Sequence, residues 1–255
     1  CCGIGKIEEM LVPSPHRIES DCPVFQQCGG CVFRHVTYEQ ELEIKTQRVA
    51  DVLARIGGVE SLPLRPIVGA PHTDRYRNKA QLPIGKTREG QPMLGFYANR
   101  SHRIVQCDDC ALQPKEFQTA VRAFSQWMTT SGETVYEETT HQGVLRHLYI
   151  REGSSTGERM VCIVANSDRL KQEDRLVECL KNSVPGLKSI VLNVNREKTN
   201  VILGKQFRTL WGADTITDTL CGLSFQIAPA SFYQVNREQA ERLYQIAGSY
   251  AALTG

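Results

Sequence analysis

Apolar and polar positions follow two rhythms along this chain. A two-residue period marks strands over residues 76–84 and 93–105, joined around Glu89-Gly90, and again over 145–151, 160–165, 189–194 and 200–203. A helical period runs over 114–128, 170–184 and 237–251. A further helix starts at Thr37, where Thr37 and Gln40 form a capping box, and stops at Gly57-Gly58. Its apolar stripe of Leu42, Val49, Val52, Leu53 and Ile56 is expected to be buried. Residues 217–228 add β structure around a Cys221-Gly222 turn. From residue 114 onward the order is helix, two strands, helix, two strands. That order predicts an α+β fold, an antiparallel sheet with helices packed on one face.

Composition narrows the class. The chain has 255 residues, 41% of them hydrophobic and 23% charged, the profile of a soluble globular protein of one large or two medium domains. No apolar run approaches the roughly 18 residues of a membrane span, and no signal-peptide pattern opens the chain. Ten cysteines in a chain of this size and charge balance indicate a reducing, cytoplasmic setting rather than a disulfide framework.

The cysteines carry the sharpest local signal. Cys22, Cys28 and Cys31 form a C-x5-C-G-G-C run, three thiols within ten residues with paired glycines in the tightest loop. Gly29 and Gly30 suit a chain folding back on a compact centre with positive φ and close backbone approach. Structural zinc usually draws on two C-x2-4-C knuckles. One asymmetric triplet with a distant fourth ligand favours an iron–sulfur cluster held by four cysteines. A zinc-stabilised domain, or three unrelated thiols, are the alternatives. Cys162 in a strand and Cys179 on a helix read as core fillers.

Net charge is only +2, so its distribution matters more. Arg75, Arg77, Lys79, Lys86, Arg88, Arg100 and Arg103 crowd one stretch, interleaved with Tyr76, Phe96 and Tyr97. Cations for phosphates alternating with flat rings for bases make an RNA-binding face, with Arg75, Arg77, Lys79, Arg100 and Arg103 as contacts. A solvated sheet surface is the plainer reading.

Four motifs occur in order: Cys22-x5-Cys28-Gly-Gly-Cys31, Tyr76-Arg77-Asn78-Lys79, the run from Ile104 through Cys107 and Cys110 to Gln113, and Phe232-Tyr-Gln234-Val-Asn236. Together they resemble the S-adenosylmethionine-dependent RNA (uracil-5-)-methyltransferase family, most closely its cluster-containing 23S ribosomal RNA branch. The resemblance covers essentially the whole chain. It implies an OB-type RNA-binding domain, a central [4Fe-4S] domain and a Rossmann-like methyltransferase domain. On this chain these map to a remnant over 1–13, a central domain over 14–222 and the start of the third over 223–255, with the helix at 37–57 packing on the methyltransferase domain. The family motif selects Cys110 as fourth cluster ligand, with Cys107 the competitor. It assigns Gln234 to an amide contact with S-adenosylmethionine and Phe232 to the cofactor or a flipped uracil. Asn236 reads as a helix N-cap, with Gln239 returning the bond.

The chain departs from the family beyond this point. It ends at Gly255, where the family begins its first Rossmann strand and glycine-rich loop. The nucleophilic cysteine, in a Ser-Cys-x-Pro context, and the general base are expected beyond Gly255. The resemblance therefore implies an internal fragment, inactive alone, of a monomeric enzyme that methylates C5 of a flipped uridine in 23S rRNA. The cluster's role is then structural or RNA-orienting, since methyl transfer needs no electron. A stand-alone iron–sulfur RNA-binding module and a tRNA uracil-5-methyltransferase are the competing readings.

Overall fold

The computed structural model describes residues 7–59, 61 and 64–252. The first six residues of the segment read as a domain remnant, and residues 253–255, lie outside the described residues. The chain divides into two compact units, one of Cys1–Gln26 and Gly30–Gly69, the other of Gln27–Gly29 and Ala70–Gly255. The main division falls after Gly69.

The smaller unit is built on α1 (Tyr38–Arg55), whose Thr37 hydroxyl accepts the Gln40 amide; Thr37 N–H donates to the His16 carbonyl instead of to Gln40, so only half of the expected capping box forms. The expected burial of its apolar stripe is not observed. Val49, Val52, Leu53 and Ile56 are all exposed, Ile56 at 82%. An open groove of about 970 Å³ runs beside the helix, lined by Leu42, Val52, Pro66 and Ile67 among others. None of the helix's residues is buried.

The larger unit is a seven-stranded sheet with a separate hairpin. Its strands are β1 (Lys79–Lys86), β2 (Pro92–Tyr97), β3 (Ile104–Gln106), β4 (Leu145–Glu152), β5 (Arg159–Ala165), β6 (Leu187–Val194) and β7 (Gln206–Gly212). Their order across the sheet is β3-β2-β1-β4-β5-β6-β7. Two expectations need correction. The sheet is mixed, because β5 and β6 run parallel, joined by a crossover through α3 (Glu173–Ser183). The last strand lies at Gln206–Gly212 rather than 200–203. Residues 200–203 instead belong to a loop held down by side chains, with the Asn195 amide donating to the Val201 and Ile202 carbonyls.

The stretch read as one strand over 93–105 is split into β2 and β3 by a turn in which Arg100 has φ +52°. Gly95 allows β3 to close against β2, because a methyl group there would overlap the Val105 carbonyl.

One face of the sheet packs on α2 (Lys115–Ser131) and α3. There Leu148, Ile150, Val161 and Ile163 meet Phe117, Phe124, Trp127, Leu176 and Leu180 in the main core. The opposite face is also covered, in two patches. Tyr149, Cys162 and Val191 pack with Leu203. Met160 packs with Ile216, Leu220, Ile227, Tyr233 and Ala240, which come from the hairpin β8 (Ile216–Leu220) and β9 (Leu223–Ile227), the segment after it, and α4 (Arg237–Ala251). Cover on both faces is why β4 and β5 are buried throughout. Cys162 is a core filler as expected, and its burial pushes the thiol up to about 12. Cys179 is half-buried on α3.

His147 on β4 lies between Pro83 and Val164, is 8% exposed, and its Nδ1 has no partner. Burial, then the neighbouring Arg146, pull its pKa from 6.5 down to about 4, against the pull of Glu138. The folded pKa lies below the unfolded one, so the unfolded chain binds the extra proton between those values. Stability is complete above pH 6.5 and is lost as pH falls toward 4. We expect about 2 kcal/mol less stability at pH 5 than at pH 7 from this group. Denaturant titrations of His147→Phe should show a flatter pH profile over that window; an unchanged profile would assign the acid sensitivity elsewhere.

Candidate functional site

Three of the sequence motifs lie side by side in the larger unit. The approach to β1 is the middle ribbon. On one edge Arg75 N–H donates to the Ala111 carbonyl and Arg77 N–H to the Leu112 carbonyl, each at 2.8 Å. On the other edge Asn78 N–H donates to the Val235 carbonyl at 3.0 Å, and Arg77 bridges Asn236. The Asn78 side-chain amide then donates to the Gln234 carbonyl at 2.9 Å. Residues 75–78 thus stitch the Cys110 segment to the Phe232–Asn236 segment. Asn78 is 2% exposed, so these bonds form away from competing water.

The loop ahead of Phe232 is fixed independently. Arg151, from the end of β4, aims Nη1 at the carbonyls of Ala228, Pro229 and Ser231, at 2.8, 3.2 and 2.7 Å. Burial lowers its pKa. The Ser231 hydroxyl accepts the Ala228 amide. Tyr233 is buried and donates to Asp218, whose other oxygen accepts the Ser155 amide and hydroxyl. Burial, followed by that hydrogen bond, pushes the Tyr233 hydroxyl well up. Asn236 caps α4 by accepting from Gln239 N–H, as its sequence position implied.

Between these anchors Phe232 is left 85% exposed. An aromatic ring presented by a loop pinned at both ends is an apolar platform for another flat ring. Gln234 is half-buried beside it, its backbone carbonyl held by Asn78. Sequence reasoning assigned Phe232 and Gln234 but missed Arg151, Asn78 and Asp218, which hold them. The available signal was polar: Arg151 is a charge ending an apolar strand, a position that demands a partner.

The candidate RNA contacts divide into three kinds. Arg75 pairs with Asp109 through both guanidinium nitrogens and also donates to the carbonyls of Cys110 and Gln113. The Asp109 hydrogen bond raises its pKa, and the reciprocal bond lowers that of Asp109. Arg75 therefore staples the 109–113 segment. Arg77 and Lys79 stand beside the Phe232 loop. Arg100 and Arg103 are exposed at the β2–β3 turn.

The cysteines proposed as cluster ligands are half-buried in both units. In the smaller unit, Arg34 holds both oxygens of Asp21 at 2.6 and 2.7 Å, closing the loop that carries Cys22 and Cys31. In the larger unit Cys28 bridges Ala98, and Gly29 N–H donates to the Tyr97 carbonyl. Gly29 is needed for close approach, since a Cβ there would come within 3.0 Å of the Asn99 backbone; neither Gly29 nor Gly30 has the positive φ expected of them. Four thiols are a donor set chemically suited to iron–sulfur or zinc. Among the described residues, however, no three His, Cys, Asp or Glu side chains come together to hold a metal. Only the donor chemistry speaks for a cluster.

No family model matches the chain. It is 43% identical over 253 residues to a protein of Halalkalibacterium halodurans named an uncharacterized RNA methyltransferase, covering 99% of this chain and 55% of that protein. A Clostridium tetani protein of the same name is 38% identical, with 99% and 54% covered. The chain thus spans about half the length of the curated relatives it matches. Among solved structures, that of Pyrococcus abyssi tRNA (uracil-54, C5)-methyltransferase in complex with S-adenosyl-L-homocysteine superposes with a TM-score of 0.72 at 28% identity, over 94% of this chain and 53% of that one.

Proposed function

We propose that the protein carrying this chain is an S-adenosylmethionine-dependent RNA methyltransferase of the uracil-5 family. The single observation that carries the reading is the pinned loop at 228–236. It presents Phe232 to solvent and holds Gln234 at the junction of three motifs. The similarity to RNA methyltransferases along nearly the whole chain supports it. So does the shared fold with a uracil-C5 enzyme bound to S-adenosyl-L-homocysteine.

The chemistry asks for four things: a base drawn out of its stack, a thiolate adding to C6, attack by C5 on the sulfonium methyl, and a base removing the C5 proton. This chain's residues serve the first and help the third. Phe232 offers its face to the extruded base or the cofactor, and the Gln234 amide hydrogen-bonds the cofactor. Cys162 is not the nucleophile, because it is fully buried and its thiol is held protonated by burial.

The substrate reading is 23S rRNA, supported by the C-x5-C-G-G-C triplet. Transfer RNA is the second reading, favoured by the named substrate of the solved neighbour. Release of tritium from RNA labelled at uridine C5 tests the reaction, and presenting rRNA and tRNA transcripts in competition separates the substrates. Gln234→Ala should raise the KM for S-adenosylmethionine several-fold; methylation at a ring nitrogen or a ribose would overturn the family reading.

We place a [4Fe-4S] cluster on Cys22, Cys28, Cys31 and Cys110 on their spacing and donor chemistry. Protein prepared without oxygen should be brown with about four irons per chain. Cys110→Ser should bleach it and Cys107→Ser should not. One colourless, stoichiometric zinc would replace the cluster by a structural metal, and no metal at all would leave only a thiol-rich RNA-binding module.

A further inference from the structure

Three cations meet at the foot of the Phe232 loop. Lys79 pairs with Arg151 across β1 and β4, and Arg77 lies two residues before Lys79 on the same ribbon. The charges that act on the Lys79 ammonium are those of Arg151 and Arg77, and with burial they lower its pKa. Arg151 is committed to the loop carbonyls. Arg77 and Lys79 make no ion pair or side-chain hydrogen bond with a described residue, and Arg77 Nε is buried without a partner.

Half-buried cations held together without a carboxylate repel one another and lose hydration. Nearby acids do not relieve this. Asp109 is taken by Arg75, and Glu238, in the first turn of α4, is taken by His72 at 2.9 Å. A bound anion would offset this repulsion.

We propose that Arg77 and Lys79 form a built anion site that takes one backbone phosphodiester of the RNA, next to the nucleotide whose base meets Phe232. Arg151 adds positive potential from behind, and its own hydrogen bonds keep it from moving toward the phosphate. Holding a neighbouring phosphate fixes the sugar from which the base swings, so orientation comes from the backbone and needs no sequence reading. This rests on the RNA methyltransferase reading above. It separates the five candidate contacts, since Arg75 is a staple and Arg100 and Arg103 stand exposed at the β2–β3 turn. The cofactor's carboxylate is the competing anion.

The test is binding of short fluorescein-labelled oligouridylates, each with a single neutral methylphosphonate linkage, in the absence of S-adenosylmethionine. Wild-type protein should lose about tenfold in affinity when one particular linkage is neutralised, and little at the others. Lys79→Gln should bind the unmodified RNA as weakly and be indifferent to that linkage. Its salt dependence should be shallower by about one single-strand phosphate contact, ~0.7 in log–log slope. Lys79→Arg should restore sensitivity. A flat methylphosphonate profile in the wild type overturns the site without any variant having to fold. Lys79→Gln that keeps the RNA salt slope but loses S-adenosylmethionine affinity assigns the cations to the cofactor instead. Because no methyl transfer is measured, a wrong reaction assignment and a wrong phosphate site give different results.

Discussion

Replacing Arg151 by Met is expected to cost about 3–5 kcal/mol of stability and to free the Phe232 loop. Arg151 is 2% exposed and its Nη1 serves the Ala228, Pro229 and Ser231 carbonyls. Hydrogen bonds from a charged donor are worth about 1.5–3 kcal/mol, and each buried carbonyl left unmet costs about 1–3 kcal/mol. Two effects act the other way: burying the charge is itself unfavourable, and removing it relieves repulsion on Lys79. The unmet carbonyls win, because those of Pro229 and Ser231 lose their donor at once, the Ala228 carbonyl keeping the Ser231 N–H, while Met fills most of the volume. Arg151→Lys keeps the charge but presents a single point of donation, so it should recover only part of the loss. Chemical denaturation gives the energy, and limited proteolysis around 228–232 reports the loop. If Arg151→Met were as stable as wild type with the loop still protected, the loop would owe its shape to Tyr233 and Asp218 alone.

How far the sequence foretold this arrangement depends on which physical signal each part carried. The apolar runs of β4, β5 and β6 and the stripes of α2 and α3 announced themselves, because burial against a large core leaves a clear period. The parallel pairing of β5 and β6 was legible in principle, since two near-continuous apolar strands flanking a helix are the mark of a crossover. An expectation built on hairpins passed over it. Strand β7 escaped because it is an edge strand with exposed Gln206, Phe207 and Arg208, so its alternation is faint. Helix α1 misled in the other direction: its stripe is real, but none of its residues is buried among the described residues.

The site shows the same split. Phe232, Gln234 and Asn236 were recognisable as a motif, and the Asn236 cap followed from local chemistry. The weave of residues 75–78 between two distant segments was not legible, because backbone pairing at such sequence separation leaves no period. Nor was the fate of Arg75, which shares its charge and neighbourhood with Arg77 and Lys79. Only the position of Asp109 tells the staple from the ligand-facing pair.

Asn78 is where that weave should prove most sensitive. Its backbone N–H holds the Val235 carbonyl, its carbonyl accepts Glu152 N–H, and its side-chain amide holds the Gln234 carbonyl. Asn78→Ala removes only the last of these and should cost about 1–3 kcal/mol in stability, the price of one buried acceptor left unmet. The functional loss should be far larger than that figure suggests. The lost bond is to the Gln234 carbonyl itself, so the Phe232 platform shifts together with the Gln234 amide, and a misplacement of about 1 Å at a reacting site can cost roughly a hundredfold in rate. We therefore expect kcat/KM for the proposed uridine methylation to fall about a hundredfold, with most of the loss in kcat. Asn78→Asp is the sharper test. It preserves shape but turns the donor into a carboxylate oxygen facing the Gln234 carbonyl, so repulsion replaces attraction. It should be at least as inactive as the alanine variant while packing equally well. If both variants kept wild-type turnover despite the measured loss of stability, Asn78 would be a fold residue only, and the loop would be set entirely from the Arg151 side.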